Sequence, residues 1–303
     1  MPLKQGESDD NSPSIVKSKL ENQGTTFIPR PASLTKHQRL IGDIVKRILA
    51  DDSEVFVPSS TDPRWREPPP SHLTVEEGFA RYGLQPAPTP ATGNCQYYAV
   101  AMSLLDMRFD TPQHIEVLEQ MTQLLKEGIG EASRHGYDVE FPHDIRQTIL
   151  AVNRLEADGQ ELATSLSETE SGILFQEYIQ DISQSASAIS AFVPLELWGT
   201  ELTLRMMAKL LQQPIFLIIA PYGLQSVPTY QVYEPERTTK AGHELDSAEE
   251  YYFASSKLDE WLSRLQRACR DTSSTDNPPV VLIYSELHYS RVEFAPAPVS
   301  RTT

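Results

Sequence analysis

Residues 200–220 read TELTLRMMAKLLQQPIFLIIA, a helical pattern that ends near Leu211 and gives way to an unbroken apolar run from Ile215 to Ala220, closed by Pro221. A short apolar run bounded by chain breakers suits a buried strand. Two more runs, 229–233 and 280–284, are bounded by Pro, Gly and Asn in the same way and read as strands. Between them Leu258, Trp261, Leu262, Leu265 and Cys269 share one helical stripe, which assigns Cys269 to an apolar core. Upstream, the residues after Cys95 form a largely apolar helix. Thr111 as N-cap and Pro112 at the first position open another that runs to Gly128, and two more occupy residues 144–183, separated by Gly159 to Gly172. The combination predicts an α/β (α+β) domain over residues 74–296, a central twisted β-sheet flanked by helices.

Outside that domain the composition changes. Twelve of the 23 prolines lie in the first 90 residues, and the chain to about Pro31 is rich in Ser, Asn, Gln, Asp and Glu. Residues 1–73 therefore read as a largely disordered arm, and residues 297–303 as a disordered tail. One amphipathic helix interrupts the arm over about 35–50, with Thr35 and Gln38 as a capping box. Its apolar stripe either docks on the main domain or serves a partner. Pro58 to Pro70 forms an extended connector, Thr74 to Glu77 opens a short capped helix that Gly83 closes, and Pro86 to Thr92 leads into Cys95.

Charge and composition narrow the functions. With 26 basic against 42 acidic residues the formal charge is −16, so nucleic acid and anionic membranes are poor partners. No stretch offers about 18 uninterrupted apolar residues, the length a membrane span needs. Two cysteines cannot build a disulfide framework, and no N-terminal run reads as a secretory leader; a cytoplasmic or nuclear location is expected. Neither zinc-ligand spacing nor a phosphate-cradling glycine loop occurs, so no metal and no cofactor are expected.

Cys95 stands apart from Cys269. Gly93 and Asn94 precede it, which sets its sulfur at the N-terminus of a buried helix, where unpaired N–H groups and the helix dipole favour a thiolate. The same N–H groups suit an oxyanion formed on an attacked carbonyl. A nucleophilic thiol needs a base. Of seven histidines, His288 is placed best, because it follows the strand ending at Tyr284 after the short turn 285–287 and opens an alternating stretch to Phe294. The residues themselves leave open a packed thiol and an edge-strand histidine.

Three blocks in order, Gly93-Asn-Cys95, Trp198 through Ile215, and Leu287-His-Tyr-Ser-Arg-Val292, resemble the ovarian-tumour (OTU) family of cysteine deubiquitinases over roughly residues 86–294. The resemblance implies an OTU-like cysteine protease fold and hydrolysis of the isopeptide or peptide bond after the C-terminal glycine of ubiquitin. Cys95 would be the nucleophile and His288 the general base. Thr92, Gly93 and Asn94 would form the oxyanion-hole region, while Trp198, Gly199 and Glu201 would contact the substrate tail. Ubiquitin or polyubiquitin is the implied partner, and its Arg-Leu-Arg-Gly-Gly tail suits a narrow channel with acidic walls. The family commonly has Asp where this chain has Thr92. It also has Asp or Asn two residues after the histidine, where Ser290 stands as the candidate ring-orienting residue; an acid from upstream would point to Asp62. These differences motivate an alternative, an inactive ubiquitin-binding or scaffold protein of the same fold. A protease for a ubiquitin-like modifier is another.

Overall fold

The computed structural model describes residues 32–52, 73–134, 141–153, 166–235, 254–256, 258–271 and 278–294. The arm before residue 32, the connector with Asp62, the interval 154–165 and the tail from 295 lie outside the described residues. The elements in chain order are α1 (Ala32–Asp52), α2 (Val75–Tyr82), β1 (Leu84–Ala87), α3 (Cys95–Leu105), α4 (Pro112–Arg134), α5 (His143–Asn153), α6 (Glu168–Gln184), a 3-10 turn at Leu195–Leu197, α7 (Glu201–Leu211), β2 (Ile215–Ile219), β3 (Thr229–Tyr233), β4 (Ala254–Ser256), α8 (Leu258–Asp271), β5 (Val280–Ser285) and β6 (His288–Phe294).

Among the described residues six strands form one mixed sheet in the order β1-β6-β5-β2-β3-β4. Only β2 and β5 pair in parallel, Ile215 opposite Val280 through Ile219 opposite Tyr284; the other neighbours are antiparallel. These two strands are apolar at almost every position because helices cover both sheet faces. Alternation divides their side chains cleanly. Ile215, Leu217, Val280 and Leu282 enter the larger core with Cys95, Tyr97, Met102, Leu125 and Leu210. Phe216, Ile218, Val281 and Ile283 enter the second core with Val75, Phe79, Trp261 and Leu265. Trp261 anchors α8 there, its Nε1 donating to the Gln231 carbonyl at 3.1 Å and its ring meeting Phe216 edge-on at 5.6 Å. The fold is thus mixed α/β with helices on both sides of the sheet.

Local chemistry explains most of the element ends. Thr74 accepts from the Glu77 N–H and Glu77 reaches back to the Thr74 N–H, a complete capping box, and Gly83 closes α2 in the left-handed region at φ 64°. Leu34, Ile41 and Val45 of α1 are buried in the larger core, and Leu40 is exposed. Thr35 lies inside α1, which begins at Ala32, so the expected Thr35 capping box does not start that helix.

Three other expectations need correction. The helix expected to stop at Gly128 continues to Arg134, because Gly128 marks a close helix–helix approach: a Cβ there would sit 2.4 Å from Leu210 Cδ2 of α7. Gly172 lies inside α6, away from any break between helices. The Pro86 segment is partly strand, with Pro86 opposite Val292 on an edge strand, one of the few sheet positions proline tolerates.

Candidate active site

Between β1 and α3 the chain turns at Gly93, which has φ 91°. A Cβ there would lie 2.5 Å from Trp198 Nε1 and 2.8 Å from the Val193 carbonyl oxygen, so glycine is required by both backbone and space. Asn94 precedes the helix with no side-chain cap bond. Its Nδ2 donates to the Ala186 carbonyl at 2.8 Å, and its buried Oδ1 has no partner among the described residues. Cys95 follows as the first residue of α3, only 6 % exposed.

The sulfur sits at the edge of the sheet beside β6. The Tyr289 N–H donates to Cys95 Sγ at 3.5 Å. Standard backbone dimensions then put Sγ no more than about 6 Å from His288 Cα. His288 is the first residue of β6, half-buried, and pairs with Ser285 across a two-residue turn. Both turn residues, Glu286 and Leu287, have positive φ, 51° and 63°. That backbone matches the twist of the hairpin, and it fixes the register that brings His288 beside the cysteine.

Burial sets the protonation of the resting pair. It pushes the Cys95 thiol above its ordinary range, outweighing the Tyr289, Gln96 and Cys95 N–H groups that favour the thiolate. It also pushes the His288 imidazole down, against a smaller opposite effect of the Thr89 backbone. The lowered thiol pKa expected from the helix N-terminus is therefore overturned: desolvation dominates, and thiol and imidazole are both neutral at rest.

The remaining candidates surround this pair. Thr92 accepts the Val193 N–H on its carbonyl at 2.9 Å, and its hydroxyl faces Tyr98 OH at 3.4 Å. The Asn94 side chain is committed to Ala186, so only main-chain groups of Gly93 and Asn94 remain for an oxyanion; among the described residues their N–H groups have no hydrogen bond. Trp198 covers Gly93 and donates from Nε1 to the Val193 carbonyl at 2.8 Å. Gly199 packs on Gln96, whose Oε1 a Cβ would meet at 2.2 Å. Gln96 in turn donates to the Thr200 carbonyl at 3.0 Å and accepts from Thr203. Trp198 and Gly199 thus brace the cysteine loop directly. Glu201 is exposed at the start of α7, and its charge reaches Tyr284 and Tyr289, which also feel Cys95. Phe192 and Leu195 are exposed beside Trp198.

The Ser290 side chain makes no hydrogen bond among the described residues, and the residue pairs with Ile283 across the ladder. His288 instead meets Thr89, whose Oγ1 lies 2.9 Å from His288 Nε2. Thr89 was not among the sequence candidates. Set between Pro88 and Pro90, it carries no motif, and only the pairing of β1 with β6 delivers it to the histidine. The backing of the loop was equally hidden. Glu119, Gln123 and Lys126 of α4, one helical stripe, bind the Ile189 N–H, the Ser187 hydroxyl and the Ala186 carbonyl respectively.

No family model matches this chain. No curated protein matches it either. Among solved structures it is similar to one described as the structure of the Hazara virus OTU bound to ubiquitin, at 13% sequence identity and a TM-score of 0.35, over 75% of this chain and 87% of that one.

Proposed function

We propose that residues 74–296 form a thiol-dependent deubiquitinase that hydrolyses the bond after the C-terminal glycine of ubiquitin. The observation that carries the proposal is the 3.5 Å contact from the Tyr289 N–H to Cys95 Sγ, which sets a helix-start cysteine against the residue that follows a strand-start histidine from the far end of the chain. In the proposed reaction His288 takes the Cys95 proton as sulfur attacks the glycine carbonyl, and the main-chain N–H groups of Gly93 and Asn94 face the oxyanion. Collapse of that intermediate expels the amine, which receives the proton from His288 and leaves a thioester. Water, deprotonated by His288, then cleaves the thioester, and the proton returns to sulfur. Glu201 supplies negative charge for the arginines of the ubiquitin tail.

The alternative, a protein that binds ubiquitin without cleaving it, draws on the neutral resting pair. A ubiquitin carrying a C-terminal electrophile separates the two. Covalent capture by the wild type, lost in Cys95→Ala and strongly slowed in His288→Ala, supports the hydrolase. Binding without capture supports the alternative. Parallel probes built on ubiquitin-like modifiers decide the substrate.

A further inference from the structure

The Thr89 hydroxyl has one hydrogen and two neighbours. Its Oγ1 lies 2.6 Å from the Tyr289 carbonyl oxygen, which can only accept, so the hydroxyl hydrogen is engaged there. The same oxygen lies 2.9 Å from His288 Nε2. With its hydrogen engaged, Oγ1 accepts in this second bond and Nε2 is the donor. A neutral imidazole has a single N–H, which leaves the lone pair on Nδ1.

We propose that Thr89 is the positioning residue of the site: it holds the His288 ring as the Nε2–H tautomer and leaves Nδ1 as the nitrogen that takes the Cys95 proton. The proposal rests on the thiol-hydrolase reading and deepens it. Thr89 is 8 % exposed, so its hydroxyl meets little competition from water, and its bond to the Tyr289 carbonyl fixes it to the residue whose N–H contacts the sulfur. One residue, Tyr289, thereby ties thiol and hydroxyl together through its N–H and its carbonyl, and the hydroxyl in turn holds the imidazole. Burial, which keeps the ring neutral at rest, makes the choice of tautomer matter. A hydroxyl acceptor orients the ring without the full charge that would stabilise an imidazolium, consistent with a neutral pair before substrate arrives.

The test uses the full chain with ¹⁵N-labelled histidine, as wild type, Thr89→Val and Thr89→Ser, with the His288 resonances assigned by their loss in His288→Ala. Long-range ¹H–¹⁵N spectra are expected to show Nε2–H in the wild type, mixed tautomers in Thr89→Val, and recovery in Thr89→Ser. The rate of capture by the ubiquitin electrophile is expected to fall at least about tenfold in Thr89→Val with apparent binding unchanged, and to recover in Thr89→Ser. An Nδ1–H wild type, a Thr89→Val spectrum like that of the wild type, or a Thr89→Ser that behaves like Thr89→Val overturns the proposal. Should the wild type ignore the ubiquitin electrophile, the substrate assignment fails, while the spectra still decide the role of Thr89.

Discussion

Replacing Gly93 by alanine separates a loop held in place from one that merely passes the cysteine. Two effects add. At φ 91° an L-residue is strained, which costs about 1–2 kcal/mol. The new Cβ would also stand 2.5 Å from Trp198 Nε1, 2.9 Å from Trp198 Cδ1 and 2.8 Å from the Val193 oxygen. The Val193 carbonyl cannot easily retreat, because the Val193 N–H is bonded to the Thr92 carbonyl one residue before the substitution. Trp198 must move, and its 2.8 Å bond to Val193 breaks, adding about 1 kcal/mol. The expected loss is about 2–3 kcal/mol, or roughly 4–12 °C in Tm for a domain of this size. Calorimetry on Gly93→Ala checks it, and in a Trp198→Phe background, where the Nε1 bond is already absent, the same Gly93→Ala change should cost less, mainly the backbone component. A Tm within about 2 °C of the wild type would refute the account of the loop.

Three further outcomes follow from the geometry. Leu287→Gly relieves a left-handed residue in the hairpin before His288 and should raise Tm by about 2–4 °C, equivalent to about 1 kcal/mol; an unchanged or lower value counts against turn strain. Lys126, fully buried, has its ammonium pushed down to about 7 by desolvation, so between pH 7 and 10.5 the unfolded chain holds a proton that the folded one has released. Stability attributable to this group therefore rises with pH across that window, by at most about 5 kcal/mol, and urea midpoints of wild type minus Lys126→Met should show it; a pH-independent difference contradicts the burial. Because burial raises the Cys95 thiol, peptide-mapped alkylation of Cys95 by iodoacetamide should climb with pH to a midpoint above that of a free thiol, whereas a rate already level at neutral pH would reveal a preformed ion pair.

The parts of the fold written in local chemistry could be read from the sequence. The Thr74 capping box, the Gly83 cap and the apolar runs of β2, β3 and β5 each carry their signal within a few residues. The parts set by contact between distant segments could not. Gly128 looks like a stop signal until Leu210 is seen against it, and Pro86 reads as a linker until Val292 lies opposite. Glu286-Leu287 lacks the Asn-Gly signature of a tight hairpin, so the sequence shows a short turn before His288 but not its two-residue, left-handed form. Cys95 and His288 stand out as residue types in suggestive positions. The ring's partner Thr89 does not, since a threonine between two prolines has no local reason to meet an imidazole.

The geometry around Cys95 is imposed from outside its own segment. Lys126 donates to the Ala186 carbonyl at 2.8 Å and to the Ser185 hydroxyl at 2.9 Å, and the same Ala186 carbonyl accepts from Asn94. Tyr98 OH donates to the Ser187 carbonyl at 3.0 Å, one turn into the cysteine helix. The 185–193 segment is therefore held by α4 on one side and grips residues 92–98 on the other, with the Val193 N–H and carbonyl completing the hold on Thr92 and Trp198. Burying a lysine among carbonyls without a carboxylate is costly, and that cost is offset only if the carbonyls need a donor. Here Lys126 gives the Ala186 carbonyl a second donor beside Asn94 and supplies the donor for the Ser185 carbonyl and hydroxyl oxygens. A helix-start thiol gains reactivity only from N–H groups and a base that stay in place, and in this fold that constancy is supplied by a loop 92 residues away in sequence, clamped by an ammonium that burial pushes down to about 7.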